Sequence, residues 1–414
     1  MDDRRRLKGD HQAKGKGCTS KTTPRSTVLF VHASADLYGS DITLLQLVSG
    51  LDRKRFNALV VVPYGGPLVS RLRQAGVEVL VRPDLPIIRR QYMSVGGFFH
   101  LVLSLRAIWW LVNLIRERKV ALVHSNTLGV LPAGLAARFL GCTRVWHVHE
   151  IIIQPRIVAS LLATLSSAAS NVVIANSRAT ADHYRRTRLA TSTPIEVILN
   201  GVDEARLRVY AGDPLRSVIG AEPGDTVFTL VGRINRWKGH SVFLDAAERI
   251  AAESKNVRFL IVGDSFAGQE SLTEAVDRRI ESSHTLRGRA VRLAHVAEVG
   301  RVYEASDVVV VPSIEPEPFG LVAAEAMAAG LPVIASRIGA LPEVVDDDCT
   351  GLLVDPGDAT SLVAAMRELY ASPFRREEMG RKARKRYERC FRVDRYIEEF
   401  TRVYDDLLSS KSAL

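Results

Sequence analysis

The stretch between positions 311 and 345, together with the strand that leads into it, constrains the fold of this chain more than any other. Asp307–Val311 is a short β-branched apolar run, which predicts a strand buried on both faces. After a proline-rich loop, Phe319–Ala329 reads as a helix capped by Gly330, and Leu331–Ala335 predicts the next buried strand. This strand–loop–helix–strand unit is typical of a parallel α/β sheet. Its loop opens onto a helix N-terminus, where free N–H groups and the helix dipole favour an anion.

Two glutamates flank the start of this helix. Glu317 lies in the loop and Glu325 lies about two turns inside the helix, with its side chain directed back toward the N-terminus. An isolated pair of glutamates is usually solvent-exposed. Glu325, however, lies among alanine, valine, leucine and methionine, which indicates a helix buried nearly all round, and a buried carboxylate needs a partner. We therefore expect both glutamates to contact one ligand that carries hydroxyls and phosphates.

The rest of the chain alternates strands and helices in two series, which begin at Thr27–Ala33 and Thr226–Val231. A chain of 414 residues is too long for one ordinary core, so two doubly wound domains with parallel sheets are predicted. The predicted segments are a disordered basic tail at 1–26, a first Rossmann-like domain at 27–200, a linker at 201–225, a second Rossmann-like domain at 226–392 and a final segment at 393–414.

A second motif, Gly232–Gly239, follows the first strand of the second series. Arg233 and Lys238 place two cations where a strand ends and a helix is expected to begin. This arrangement suits a diphosphate, because arginine can bind it through two parallel hydrogen bonds and lysine adds a mobile point charge. In isolation such a turn is more often solvated surface. Its position one crossover before the glutamate loop favours the binding interpretation.

Composition excludes several classes of protein. The net charge is +10, and about half of it lies in the first 26 residues, whose sequence lacks the apolar core of a secretory signal. The remaining charge suits anionic lipid or phosphorylated substrates and does not indicate nucleic-acid binding. The four cysteines show no metal-ligand spacing and suit a reducing, cytoplasmic compartment. No metal site and no bound cofactor are therefore expected.

Phe98–Ile115 is the most apolar stretch and has three interpretations. It can form a buried helix of a Rossmann-type domain, or a helix with one face on a membrane surface, since Trp109 and Trp110 precede a basic run. A membrane span is the third interpretation, which His100 and the resumed strand pattern disfavour.

The sequence EPEPFGLVAAEAMAAGLPVIAS, with a trailing GALPE, resembles the glutamate–seven residues–glutamate signature of the retaining, nucleotide-sugar-dependent family 4 glycosyltransferases. That resemblance implies an α/β GT-B fold, with two Rossmann-like domains whose parallel sheets face an interdomain cleft. The first domain would hold the acceptor and the second the donor, and the last helix would cross back onto the first domain. The co-substrate would be a UDP- or GDP-linked sugar, used without a metal.

The resemblance also implies roles for particular residues. Glu317, Arg233, Lys238 and, by a weaker match, His149 would act in catalysis. His149 can equally be a hydrogen-bonded structural histidine. The residues that would bind the donor are Gly39, Ser40, Arg233, Lys238, Val296, Phe319, Gly320, Leu321 and Glu325. His295 stands where relatives usually have glycine, beside the nucleobase loop, which leaves the base open.

The function predicted from these features is transfer of a sugar with retention to a saccharide or lipid-linked saccharide, in surface polysaccharide or glycolipid synthesis. We expect a cytoplasmic protein with peripheral contact to the inner membrane face. Two alternatives remain at this point. One is a nucleotide-sugar epimerase of similar shape, which the Arg–Lys and glutamate motifs together disfavour. The other is a catalytically silent membrane scaffold, which would be expected to have lost Arg233, Lys238 or Glu325.

Overall fold

The computed structural model describes residues 25–87, 97–189, 192–208, 215–294, 296 and 298–412. The predicted basic tail, apart from its last two residues, lies outside the described residues, as do part of the predicted linker and His295.

The first half of the chain forms a seven-stranded parallel sheet in the order β3-β2-β1-β4-β5-β6-β7. Its central strands are apolar runs buried on both faces, which is the pattern expected where helices cover both sides of a parallel sheet. The strands are β1 Ser26–Val31, β2 Phe56–Val62, β3 Glu78–Val81, β4 Val120–Ser125, β5 Thr143–Val148, β6 Val172–Ala175 and β7 Ile195–Val197. The helices are α1 Gly39–Gly50, α2 Pro67–Gln74, α3 Gly97–Glu117, α4 Leu131–Phe139, α5 Arg156–Ala168 and α6 Arg178–Thr187.

The second half forms a six-stranded parallel sheet in the order β10-β9-β8-β11-β12-β13. Its strands are β8 Thr226–Val231, β9 Val257–Val262, β10 Ala290–Leu293, β11 Val308–Val311, β12 Val333–Ser336 and β13 Gly351–Val354. The helices after β7 are α7 Leu215–Val218, α8 His240–Glu253, α9 Glu270–Ser282, α10 Val299–Glu304, α11 Leu321–Ala328, α12 Leu341–Val344, α13 Ala359–Ala371, α14 Pro373–Cys390 and α15 Val393–Ser412. The predicted fold class, two doubly wound parallel sheets, is confirmed.

The last helix, α15, returns to the first half of the chain. Its buried aromatic residues Tyr396, Phe400 and Tyr404 pack in one cluster with β1, β2 and α1. The Tyr404 hydroxyl also lies 2.7 Å from Nδ1 of His124, at the end of β4. This packing ties the end of the chain to the first sheet.

The two halves also meet at the start of α6. Ser177 caps α6 by accepting the backbone N–H of Thr180, and its hydroxyl donates to the carbonyl of Pro318 over 2.6 Å. The Thr180 hydroxyl donates to the same carbonyl over 3.0 Å. In return, the carboxylate of Glu343 accepts the first two N–H groups of α6, at 2.8 and 2.6 Å. The loop that carries Glu317 is therefore fixed from the opposite domain.

Helix α3 contains Phe98–Ile115, the apolar stretch for which the sequence allowed three interpretations. Leu111, Val112 and Ile115 are buried in the cluster that packs on the first sheet, as expected for a Rossmann-type helix. Within the described residues, no helix has the length and apolar character needed to cross a membrane. Trp110 is partly buried, and the Arg82 guanidinium lies 4.3 Å from its ring centroid. Of the two tryptophans predicted at a membrane interface, Trp109 is the exposed one, at 68%.

Candidate active site

A cleft of about 1140 Å³ lies between the carboxyl ends of the two sheets. Its walls come from both halves of the chain, and every residue that the sequence nominated for the site lines it. These residues are Gly39, Ser40, His149, Arg233, Lys238, Val296, Glu317, Phe319, Gly320, Leu321 and Glu325. Ligands of open α/β sheets bind at this edge, so the predicted residues occupy the expected place.

A close backbone contact brings the Arg–Lys turn against the glutamate loop. Gly239 adopts a left-handed conformation with φ of 73°, and a Cβ atom there would lie 1.8 Å from the carbonyl oxygen of Pro312. Only glycine combines that dihedral with that approach. The turn after β8 therefore lies directly on the start of the loop after β11. Helix α8 begins at His240, so Lys238 lies in the turn before the helix rather than at its first position.

Lys238 and Glu317 form an ion pair within the cleft. The lysine Nζ donates to Oε1 of Glu317 over 2.6 Å, and the hydroxyl of Ser313 donates to the same oxygen over 2.5 Å. Glu317 is only 8% exposed, so the partner that its burial requires is provided within the protein. Glu317 therefore contacts Lys238, the lysine of the Gly232–Gly239 motif that follows β8.

Glu325 is buried on α11, as its apolar neighbours indicated, and has two partners. Tyr303 donates its hydroxyl to one carboxylate oxygen over 2.8 Å, and Arg206 lies 3.4 Å from the other. Burial raises the pKa of Glu325, while Arg206 and Tyr303 act in the opposite direction. Sequence reasoning missed both partners. Arg206 lies in the predicted linker, in a short 3-10 turn, and no local pattern distinguishes it.

Helix α11 begins at Leu321, two residues after the predicted start, because Gly320 adopts a left-handed φ of 92°. Gly320, Leu321 and Val322 all line the cleft, so the first turn of the helix lies at the ligand side. The N–H groups of a first turn have no partners within the helix and carry the positive end of its dipole. The predicted anion-binding position therefore lines the same cleft as Lys238 and Glu317.

Arg233 crosses the cleft between two aromatic rings. Its guanidinium carbon lies 3.3 Å from the ring centroid of Tyr38, in the first half, and 3.5 Å from that of Phe266, in the second. Both contacts are of the cation–π type. Burial lowers the pKa of the Arg233 guanidinium, and the nearby Tyr38 opposes that shift. Sequence reasoning missed this arrangement, because its three residues lie in separate segments of the chain.

His149 follows β5 directly and is buried to all but 9% of its surface. Its ring centroid lies 3.8 Å from that of His147, and its Nε2 lies 3.4 Å from Oδ1 of Asn126. Burial, followed by the charges of His32 and His124, lowers the pKa of His149 well below the usual range. His149 is therefore a neutral imidazole near pH 7, suited to exchange hydrogen bonds with hydroxyls.

Glu150, the residue after His149, adds a carboxyl group at this strand end. It accepts the backbone N–H groups of His149 and Leu128, at 3.0 and 3.4 Å. Burial raises the pKa of Glu150 to about 7, against the effect of those hydrogen bonds. Glu150 also lines the cleft, so a carboxyl group with a raised pKa lies on the first-half wall.

Within the described part of the chain, no cluster of three or more His, Cys, Asp or Glu side chains is placed to hold a metal ion. Metal-independent chemistry stays a prediction.

Two family models match the chain, one for each half of the fold. The model of glycosyl transferases group 1 matches residues 213–386, and that of glycosyltransferase family 4 matches residues 38–206. A D-inositol 3-phosphate glycosyltransferase of Rhodococcus opacus is 35% identical over 332 residues, which cover 75% of this chain and 70% of that protein. The chain belongs to the group 1, family 4 glycosyltransferases.

A protein of the same name from Segniliparus rotundus is 34% identical over 217 residues, so the matched part spans 52% of this chain and about half, 47%, of that relative. Among solved structures, Anabaena HepE in complex with UDP and glucose superposes with a TM-score of 0.79 at 23% identity, covering 92% of this chain and all of that one. Sucrose-phosphate synthase of Thermosynechococcus elongatus gives 0.74 at 21% identity, over 93% of this chain and all of that one. These likenesses confirm the GT-B fold.

Substituting Gly339 should disable the glutamate loop. Gly339 has φ of 61°, and a Cβ there would lie 2.4 Å from the carbonyl oxygen of Glu317. Gly339→Ala should therefore lower turnover by about a hundredfold, since small displacements of a catalytic group have effects of that size. Gly141→Ala is the matched control, because Gly141 has φ of 62° with no atom within 4 Å. Gly141→Ala carries the strain of the left-handed backbone without the clash at Glu317, so equal turnover in the two variants would contradict this account.

The raised pKa of Glu150 predicts a pH-dependent gain of stability in Glu150→Gln. A carboxyl whose pKa rises from 4.5 to about 7 on folding destabilises the folded protein progressively between those pH values. The glutamine variant should match the wild type near pH 4.5 and exceed it at pH 8, by at most about 3 kcal/mol in the free energy of unfolding. Denaturant titration at both pH values measures this, with the exposed Glu274→Gln as control. An equal difference at both pH values would contradict the shift.

Proposed function

We propose that this glycosyltransferase moves a sugar, with retention, from a UDP- or GDP-linked donor to an acceptor hydroxyl without a metal. The observation that carries the proposal is the Lys238–Glu317 ion pair beside the first turn of α11. This cation, this carboxylate and the first turn of α11 line the same cleft, where a diphosphate and the hydroxyls of the attached sugar can both be bound.

The departure of a nucleoside diphosphate leaves negative charge on its terminal phosphate. Lys238 and the N-terminus of α11 can stabilise this charge, and preorganised contacts of this kind commonly contribute more to rate acceleration than any other single effect. Arg233, held between Tyr38 and Phe266, places a second cation at the cleft surface. These groups supply the electrostatic stabilisation for which other enzymes use a metal, and unchanged turnover in excess EDTA is the expected result.

The two glutamates take different parts in this scheme. Glu325 is held by Tyr303 and Arg206 deep in α11, so it offers a rigid acceptor for the ribose hydroxyls. Glu317 lies on the loop after β11 and is paired with Lys238. There it can contact the transferred sugar and the positive charge that develops on the sugar ring. His149, neutral and on the opposite wall, can exchange a hydrogen bond with a sugar hydroxyl. Gly39 and Ser40, the first residues of α1 and also on that wall, would face the donor phosphates, and Val296 would lie on the nucleobase side.

Separate substitution of the two glutamates tests the proposal. Glu325→Gln should weaken nucleoside diphosphate and nucleotide sugar alike, because both carry the ribose and a neutral amide makes bonds about half as strong. Glu317→Gln should leave nucleoside-diphosphate affinity almost unchanged and lower turnover, since its contact strengthens as charge develops on the sugar. Calorimetric titration and initial rates measure the two quantities. Lost nucleotide affinity in Glu317→Gln alone would reverse the two assignments.

For the acceptor, we propose a saccharide or a lipid-linked saccharide of surface polysaccharide or glycolipid synthesis. The relatives named D-inositol 3-phosphate glycosyltransferase suggest a second acceptor class, a phosphorylated polyol. Arg71 of α2 lines the first-half wall of the cleft and favours an acceptor with negative charge. An acceptor screen with a fixed nucleotide sugar separates these classes. Interconversion of the donor sugar without an acceptor would instead indicate an epimerase.

We also propose that the protein attaches peripherally to the inner face of the cell membrane, through the outer side of α3, α4 and α5. Helix α4 packs beside both neighbours, and each helix exposes apolar side chains four residues apart. They are Leu105 and Trp109 on α3, Leu135 and Phe139 on α4, and Ile157, Leu161 and Leu165 on α5, between 37% and 84% exposed.

The charges on these helices match an anionic lipid surface. Helices α4 and α5 contain Arg138 and Arg156 and no acidic residue, and α3 contributes Arg106, whose side chain is 74% exposed. Exposed apolar residues flanked by arginines are the features of a helix face that lies in a membrane interface. This apolar face includes Trp109, which the sequence analysis considered for a membrane surface, and it continues over α4 and α5.

Flotation with phosphatidylglycerol vesicles measures this attachment. The double substitution Ile157→Ser and Leu161→Ser should lower the bound fraction about tenfold or more, since each side chain loses part of an apolar burial worth about 2 kcal/mol. The control is Phe374→Ser, because Phe374 is 75% exposed but lies on α14, in the second half. This variant should bind the vesicles like the wild type. Binding should weaken with salt. Absence of flotation at low salt, or self-association through this face instead, would contradict the proposal.

A further inference from the structure

A line of buried polar side chains joins the start of α1 to His149. Oδ1 of Asp41 lies 2.7 Å from Nε2 of His32, and Nδ1 of His32 lies 3.0 Å from the amide nitrogen of Asn126. Oδ1 of the same asparagine lies 3.4 Å from Nε2 of His149. Asp41, His32 and Asn126 are at most 1% exposed, so these groups depend on one another for hydrogen bonds.

The sheet topology explains why these side chains meet. His32, Asn126 and His149 are each the first residue after a strand, namely β1, β4 and β5. Those three strands are neighbours in the sheet order, and parallel strands end at the same edge. Asp41 reaches the first of them from the first turn of α1. The arrangement therefore follows from the backbone, and it ends at the wall of the cleft.

The direction of the hydrogen bonds along this line is set at Asp41. Its second oxygen accepts the backbone N–H of Tyr38 over 2.9 Å, so both carboxylate oxygens act as acceptors. Nε2 of His32 must then be the donor, and Nδ1 of the neutral ring accepts from the Asn126 amide. The Asn126 carbonyl oxygen is left to accept from Nε2–H of His149.

We infer that Asp41, His32 and Asn126 are positioning residues that hold His149 in the tautomer protonated at Nε2, with the Nδ1 lone pair offered to a substrate hydroxyl. The inference rests on the proposed function only in taking the cleft as the sugar site. A histidine fixed in this way accepts a hydrogen bond from a hydroxyl and orients it, as the partner of one ring nitrogen decides the role of the other. If His32 were instead protonated with the Asn126 amide reversed, His149 would present an N–H group.

Nitrogen-15 NMR of histidine-labelled protein reads the tautomer directly, with His149→Gln used to assign the signals. In the wild type, His149 should show two widely separated ring-nitrogen shifts, with the proton on Nε2. In Asn126→Ala the two shifts should move toward each other, because the unlocked ring exchanges between tautomers. Asn176→Ala is the matched control, since Asn176 is equally buried directly after β6 and lies outside this line.

The wild type and Asn126→Ala are then measured for nucleoside-diphosphate affinity and turnover, while Asn176→Ala is a control for the shifts alone, because Asn176 also lines the cleft. Asn126→Ala should lower kcat by about a hundredfold, the usual effect of a misplaced contact, and leave nucleotide affinity within about twofold. Asn126→Ser, too short to reach both histidines, replaces it if the alanine variant fails to fold. A wild-type proton on Nδ1 of His149, or unchanged shifts in both Asn126 variants, would overturn the inference. Absence of sugar transfer by the wild type would overturn the proposed function and leave the tautomer result valid.

Discussion

The cleft depends on the ion pair between Lys238 and Glu317. The two residues come from turns after β8 and β11, and the close contact of Gly239 with Pro312 lets them meet. Removing one partner of a mostly buried pair leaves the other charge without compensation, at a cost of about 3–5 kcal/mol. The first half of the chain reinforces this arrangement, because the Ser177 hydroxyl donates to the carbonyl of Pro318, the residue after Glu317. The loop that carries Glu317 is thus bonded both to Lys238 and to the first half of the chain.

The two walls of the cleft contribute different groups. The second half contributes Lys238, Arg233 and a helix N-terminus, all of which attract phosphate. The first half contributes His149, whose pKa burial holds well below neutrality, and Glu150, whose pKa burial raises to about 7. This division follows from burial as much as from residue type.

The sequence predicted features that depend on short segments. The alternation of strands and helices predicted both sheets, and the burial of Glu325 followed from its apolar neighbours on α11. Its partners could not be predicted, because Arg206 lies 119 positions away along the chain and is brought close only by the fold. The stacking of Arg233 between Tyr38 and Phe266 joins residues of two domains in the same way. The start of α11 shifted because Gly320 adopts a left-handed conformation, which no residue pattern around it indicated.

The most direct test of the central claim is a comparison of nucleotide ligands by calorimetry. If Lys238 and the first turn of α11 form a diphosphate site, the wild type should bind UDP or GDP at least about tenfold more tightly than the corresponding monophosphate, the difference that one charge-assisted contact supplies. Lys238→Met should remove most of that preference while the monophosphate binds as before. Equal affinity of the wild type for diphosphate and monophosphate would contradict the account.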